Sequence, residues 1–341
     1  MPRTVTLTET LETTALGYGC ANLFRDPSGK NRLRLLEHAY EVGIRHFDVA
    51  PMYGLGVAER ELGRFARGRR DRIVIATKFG ILPTRVARSL ARVQAPVRTL
   101  FRIIPSLRGQ AKSRAAGPSS GPVGAALYAS SGYNQASAKA SLEVSIRELG
   151  TDYVDLFLLH DPAPAEVDAE EIFAYLEEAS DRGHIRAWGI AGEPAPTFAV
   201  ADSLPGRVPV LQLRDDVFER SQRPIRTSTA AGRITFGVLA RPLAHLVTLM
   251  NAEPERRRRW NAAVGADCGE PETLAWLLLR DALRNNPSGT VLFGSIQPER
   301  IASAARAATV PPEEPDAALD AFRRLVDTEL RDVIQTAEVD P

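Results

Sequence analysis

The chain has 341 residues and a formal net charge of +1 at pH 7, which is enough length for a large core and no global charge that would direct it to nucleic acid or an anionic membrane. Two cysteines, Cys20 and Cys268, are too few for a disulfide framework, and no His–Cys pair shows zinc spacing; both read as small buried fillers and no metal is expected. There is no apolar run of about eighteen residues, and Met1-Pro2-Arg3-Thr4-Val5 lacks the apolar stretch of a signal peptide, so a cytoplasmic protein is expected.

In chain order, residues Thr4 to Gly19 alternate polar and apolar around Glu12-Thr13-Thr14, the pattern of a hairpin that closes one end of a barrel before a first inner strand at Leu16-Gly17-Tyr18-Gly19. Leu33, Leu36, Ala39 and Tyr40 then share one helical face. The order that follows is strand 44–48, helix 57–66, strand 72–78, helix 135–149, strand 153–159, helix 167–182 and strand 185–190. It continues with a short helix near 196–203, strand 208–213, helix 221–231, strand 234–239, a helical region 243–285, strand 290–293 and helix 298–308. Eight continuous apolar strands in strict alternation with helices predict a single α/β domain over residues 1–341, a (β/α)8 TIM barrel with an N-terminal β-hairpin. A doubly wound open sheet is the alternative, but no G-x-G-x-x-G follows the first strand. Residues 316–336 read as a packing helix with Leu319, Phe322, Leu325 and Leu330 inward.

One segment interrupts the rhythm. Residues 81–132 form a long insertion after the third strand, where barrel loops usually need a handful of residues. Ala115 to Gly124 is rich in Gly, Pro and Ser, and no acidic residue occurs from Arg72 to Leu142. With Arg85, Arg88, Arg92, Arg98, Arg102, Arg108, Lys112 and Arg114 it reads as a flexible basic loop. It is either a solvated excursion or a cover that attracts an anionic ligand or docks a protein partner, for which Leu100-Phe101-Arg102-Ile103-Ile104 offers an amphipathic turn.

Chemistry gathers at strand ends. Asp48 ends the strand Ile44–Val49 before Ala50-Pro51 breaks it, and Tyr53 lies on the following turn. Lys78 ends the next apolar run, and His160 ends Tyr153–Leu159. Only four of the 43 basic residues are lysines, so a lysine at the end of a buried strand marks a place where a compact ammonium is needed and a planar guanidinium will not serve. In a parallel barrel the carboxyl ends of strands converge on one cavity, so these side chains form a set able to give a proton to a carbonyl oxygen. A free phenol with a pKa near 10 is a poor acid at pH 7. The reading expects the Lys78 ammonium to make it a better one, Asp48 to hold the lysine, and His160 to hydrogen-bond the substrate oxygen.

Asp48-Val49-Ala50-Pro51-Met52-Tyr53-Gly54, followed by Ala58-Glu59-Arg60-Glu61-Leu62-Gly63, is similar to the first signature of the aldo-keto reductase family, which the chain resembles over most of its length apart from the insertion. Ser145 to Leu156 with Leu159-His160 resembles the second, and Gly183-His184-Ile185-Arg186-Ala187-Trp188-Gly189-Ile190 resembles a third segment. The resemblance implies that Tyr53 is the general acid, tuned by Lys78 and Asp48, with His160 orienting the carbonyl. It implies a nicotinamide cofactor across the rim, NADP (NADPH) in preference to NAD, contacted by Gln212, Leu239, Arg241, Gly294, Ser295, Gln297 and Arg300. Departures fall at Ala191-Gly192, where the family carries Ser-Asn, at Ala240, where an aromatic ring often stacks, and at Gly294, where many members have lysine.

The function implied is interconversion of a carbonyl and an alcohol, on an aldehyde, ketone or sugar-like small molecule. Two alternatives stay open: a cofactor-binding regulatory barrel that uses the basic insertion to bind a partner, and an enzyme for a larger carrier-bound or anionic substrate. Trp188 and Trp276 read as packing residues, Trp260 as either core or pocket, and His38 and His46 as structural.

Overall fold

The computed structural model describes residues 1–92, 126–203, 208–218 and 232–330. In chain order the elements are β1 (Thr4–Thr8), β2 (Leu11–Thr14), β3 (Leu16–Gly19), α1 (Gly29–Glu41), β4 (His46–Asp48), α2 (Ala58–Ala66), β5 (Val74–Phe79), β6 (Ile81–Pro83) and α3 (Arg85–Arg92). Then follow β7 (Tyr128–Ser130), α4 (Gln135–Leu149), β8 (Val154–His160), α5 (Ala169–Asp181), β9 (Ile185–Gly192), α6 (Pro194–Asp202), β10 (Val210–Arg214) and β11 (Gly232–Phe236). The chain continues through α7 (Ala240–Ala252), α8 (Pro254–Val264), α9 (Pro271–Asn285), β12 (Thr290–Phe293), α10 (Pro298–Ala307) and α11 (Ala317–Glu329).

Strands β3, β4, β5, β8, β9, β10, β11 and β12 form a closed barrel in which every pairing is parallel. This is the expected (β/α)8 barrel. Alternation along each strand sends one set of side chains inward and the other towards the helices. Val74 and Ala76 of β5, Leu156 and Leu158 of β8, and Ala187 and Ala191 of β9 fill the interior with Val210, Ile234 and Leu292. The antiparallel β1–β2 hairpin caps the amino end, contributing Leu7 and Leu11 to that interior. A Cβ on Gly232 would lie 2.0 Å from the Leu7 carbonyl oxygen, so the hairpin's approach depends on glycine there. Outward-facing residues such as Phe47, Ile75, Phe157, Leu159 and Ile190 pack beneath the helices.

Helix starts follow local chemistry. Asn134 and Ser137 make a reciprocal capping box on α4, and Ser28, Asp168 and Asp316 each accept a backbone N–H at the starts of α1, α5 and α11. The predicted helical region 243–285 is three helices rather than one. Pro254 and Pro271 stand in the first turn of α8 and α9, where the missing N–H costs nothing, and Gly265 ends α8 in the left-handed region at φ +74°. α11 buries Leu319, Phe322 and Val326, and Leu330 beyond it, against a second core that contains Trp260 and Leu274. The expected helix 221–231 lies outside the described residues, as do the last residues of the expected 316–336 helix.

The insertion does not leave the barrel as a loop from residue 81. Its two ends pair as an antiparallel ribbon, Ile81 opposite Ser130 and Pro83 opposite Tyr128, and α3 follows β6 directly. Three-residue strands bounded by proline and glycine carry too little alternation to be seen in the sequence. Of the expected basic residues, Arg98, Arg102, Arg108, Lys112 and Arg114, with the 100–104 turn, lie outside the described residues.

Candidate active site

The carboxyl end of the barrel opens into a cavity of about 900 Å³ lined by Asp48, Tyr53, Lys78 and His160. The two-residue period explains their convergence. Lys78 continues the inward row of Val74 and Ala76, and His160 the row of Leu156 and Leu158. Sheet register sets Asp48 opposite Ala76 and His160 opposite Ala191.

Asp48 and Lys78 are both buried, and the ammonium donates to Oδ1 at 2.7 Å, to Oδ2 at 2.6 Å and to the Val49 carbonyl at 3.2 Å. Those three bonds use all three ammonium hydrogens. Nζ stands 5.4 Å from the centre of the Tyr53 ring, whose edge meets the His160 ring at a centroid distance of 6.2 Å and 87°. Tyr53 also packs on Ala50, Met52 and Ile81, beside Tyr128, so the ribbon at the base of the insertion forms one wall of its pocket. Burial first, then Asp48 and Asp161, hold the Tyr53 phenol well above its ordinary pKa of 10. This corrects the expectation that the ammonium lowers it: Lys78 is committed to Asp48, and the phenol keeps its proton.

Burial, then Lys78, pushes His160 down from 6.5 to about 3, so the imidazole is neutral at pH 7 and can offer one N–H. Its backbone carbonyl accepts from the Tyr133 hydroxyl, and Nδ1 has no partner among the described residues. Tyr133 lies where the insertion returns, its ring over Gly80 at φ +109°, where a Cβ would collide with it at 2.2 Å. His46, in the barrel floor near Thr13, is likewise pushed down to about 3 by burial and then Lys78. The unfolded chain takes up both imidazole protons as pH falls below about 6.5, and the fold only near 3, so each of these histidines lowers stability with acidification between those values. Buried Glu59, raised from 4.5 to about 7, and Asp215, raised from 3.8 to about 6, take up protons in the fold first and act in the opposite sense, as do the raised carboxyls of Asp155 and Asp161. The contribution of His160 is therefore read as a difference: between about pH 6 and pH 4 the wild type is expected to lose more melting temperature, or gain less, than His160→Gln, and parallel curves would contradict a buried neutral His160.

Six of the seven expected cofactor contacts line the same cavity: Gln212, Leu239, Gly294, Ser295, Gln297 and Arg300. Arg241 does not line it, because its guanidinium turns to Asp216 at 3.3 Å. Gln212 is buried with Oε1 unpartnered among the described residues, a vacant acceptor suited to an amide N–H. Gly294 fits closely, since a Cβ there would lie 2.8 Å from the Gly19 carbonyl oxygen, so this backbone has no room for the lysine of the resemblance. Gln297 precedes α10, which opens with Pro298 and Glu299, and the Arg300 guanidinium stands 3.9 Å from Glu272 at the same cavity.

Other lining residues escaped the sequence reading. Asn22 and Arg25 come from the turn after β3, and Trp276 of α9 lines the cavity instead of only packing. Trp260, the tryptophan left open, is core: it is fully buried, edge-on to Phe322, and donates to Glu329 at 3.2 Å. Trp188 packs on Phe173 between barrel and helix, as expected, the two rings tilted at 46°, and Cys20 and Cys268 are both free and buried.

Residues 15–213 match the sequence model of the Aldo/keto reductase family. The chain is 29% identical over 266 residues to a D-threo-aldose 1-dehydrogenase of a Pseudomonas species, covering 72% of this chain and 70% of the relative. Among solved structures, the holo form of an aldo-keto reductase from Bacillus halodurans superposes with a TM-score of 0.69 at 21% identity, covering 95% of this chain and 96% of the other. An aldo-keto reductase from Klebsiella pneumoniae, solved in complex with NADPH, gives 0.62 at 19% identity over 96% and 95%. A family match over more than half the chain, on a closed parallel barrel with its strand-end residues around one cavity, means that this protein belongs to the aldo/keto reductase family.

Proposed function

We propose that the protein is an NADP-dependent oxidoreductase that interconverts a carbonyl and an alcohol on a small sugar-like substrate, with Tyr53 as the general acid. The observation that carries this is the buried Asp48–Lys78 pair beside Tyr53 and neutral His160 in one cavity. In the reducing direction the Tyr53 hydroxyl gives its proton to the carbonyl oxygen, and His160 donates a hydrogen bond to the same oxygen as negative charge develops. An alkoxide is a stronger base than a phenolate, so a phenol that holds its proton tightly at rest still transfers it there. As the phenolate forms, Lys78, whose Nζ stands 5.4 Å from the Tyr53 ring centre, trades one of its resting bonds for the phenolate oxygen, a contact it does not make at rest.

The chain's residues fit a nicotinamide dinucleotide, whose chemistry when bound is to supply or accept the hydride. Gln212 would hold the carboxamide, and Ser295, Gln297 and Arg300 at the start of α10 would hold the phosphate end. Arg25 and Arg306 add cationic lining at the same cavity, which favours the doubly charged phosphate of NADP over NAD. The aldose named for the Pseudomonas relative supports a sugar-like substrate.

Titration with NADPH and with NADH, followed by nucleotide fluorescence, tests the cofactor assignment. NADPH is expected to bind more tightly than NADH, and Arg300→Ala to weaken NADPH about tenfold or more. Absence of binding by either nucleotide would overturn the reading. It would favour a barrel that binds a partner without turnover, in keeping with Ala191-Gly192 and Ala240 where the family usually contacts the nicotinamide.

A further inference from the structure

Asp161 follows His160 and turns the chain at the cavity wall. Its φ is +51°, a left-handed backbone that aspartate tolerates better than most residues, and its amide donates to the Ala191 carbonyl at 2.7 Å. This turn brings the carboxylate back beside the reaction centre. Oδ2 stands 3.9 Å from His160 Nε2, and Oδ1 only 2.7 Å from where a Cβ on Gly192 would be. The bare α-carbon of Gly192 is what leaves room for it, so the Asp161 carboxylate and the glycine opposite are matched features of this chain.

The neighbouring carboxylates are paired: Asp48 with Lys78, and Glu193 with Arg214 at 2.6 Å. Asp161 is different. Its side chain is 39% exposed and lines the cavity, yet among the described residues its carboxylate accepts no hydrogen bond. Burial and then Glu193 raise its pKa, so the fold bears a cost to keep a charge here. A part-buried acceptor without a donor, next to the group that would bind a carbonyl oxygen, is a place for a donor on the substrate.

Resting on the reductase reading above, we propose that Asp161 selects substrates that carry a hydroxyl on the carbon adjacent to the reacting carbonyl. The carboxylate accepts a hydrogen bond from that hydroxyl while His160 donates to the carbonyl oxygen. The 3.9 Å between Nε2 and Oδ2 lets one α-hydroxy carbonyl reach both with bonds of about 2.7–3.0 Å. A plain aldehyde of the same length occupies the pocket but leaves the carboxylate desolvated and unpaired, a loss of about 10- to 100-fold in kcat/KM. The same charge repels a substrate with a carboxylate at that carbon, so α-keto acids are disfavoured.

The experiment compares glyceraldehyde with propanal, NADPH being the reductant, in the wild type, Asp161→Gly and Asp161→Asn. Glycine keeps the left-handed backbone while removing the carboxylate, and asparagine tolerates that backbone and retains one acceptor oxygen. Asp161→Gly is expected to lose about 10- to 100-fold in kcat/KM for glyceraldehyde and less than about threefold for propanal, with Asp161→Asn in between. Equal losses on both aldehydes would show that Asp161 only positions His160, and no loss on either would remove it from recognition; both overturn the proposal. Saturation-transfer NMR with 1,2-propanediol and 1-propanol reads the same contact without turnover. Loss of the diol signal alone in Asp161→Gly supports the proposal, and unchanged diol binding overturns it. A wild type that reduces neither aldehyde defeats the reductase reading, and the NMR comparison still decides the role of Asp161.

Discussion

Replacing Asp48 by alanine should lower the folding free energy by about 3–5 kcal/mol, the usual loss when one partner of a buried ion pair is removed. Lys78 is 1% exposed and gives two of its three hydrogen bonds to this one carboxylate. Without Asp48 the ammonium keeps only the Val49 carbonyl, in a pocket closed by apolar strands. It must either stay charged and poorly solvated or give up its proton, and both cost free energy. The double variant Asp48→Ala/Lys78→Met removes the stranded charge and should recover most of the loss, because replacing a buried pair by apolar groups is often near neutral. Urea unfolding of the wild type, both single variants and the double variant gives the coupling directly. An Asp48→Ala protein as stable as the wild type would mean that the pair is not buried as described. Recovery of stability in the double variant would show that the pair is dispensable for folding, in keeping with the chemical role proposed for Lys78.

The barrel was readable because parallel strands buried on both faces are continuous apolar runs, and such runs end where the chain turns. Lys78 and His160 each end an apolar run, and Asp48 stands just before the Ala50-Pro51 break, so strand-end reading found them without knowledge of the register. What sequence could not show depends on direction and packing. Trp260 and Trp276 both sit on helices at unremarkable spacing; the meeting of α8 with α11 buries the first, while α9 turns the second to the cavity. Arg241 follows Ala240 at the start of a helix beside the site, yet Asp216, distant in sequence, draws its guanidinium away. Asn22 and Arg25 stand in a turn without periodicity, and the handedness of Asp161 is a backbone property that composition does not encode. The Tyr53 pKa is set by similar features: the sequence names the lysine beside the phenol and the carboxylate that holds it, but not the burial of the phenol or the turn that brings Asp161 towards it.

The second large effect is expected at Tyr53, and it bears on the whole account. Tyr53→Phe keeps the ring that packs on Met52 and Ile81 and meets His160 edge-on, and the hydroxyl makes no hydrogen bond among the described residues, so stability should change little. The proton donor alone is lost, a step worth about 10²- to 10⁴-fold in rate. The measurement is kcat/KM for glyceraldehyde with NADPH in the wild type and in Tyr53→Phe, beside NADPH titrations of both. The prediction is turnover by the wild type, its loss by about 10²-fold or more in the variant, and equal NADPH binding by the two. Turnover that survives in Tyr53→Phe, or none in a wild type that binds NADPH, would contradict the assignment of this cavity to carbonyl–alcohol chemistry through Tyr53.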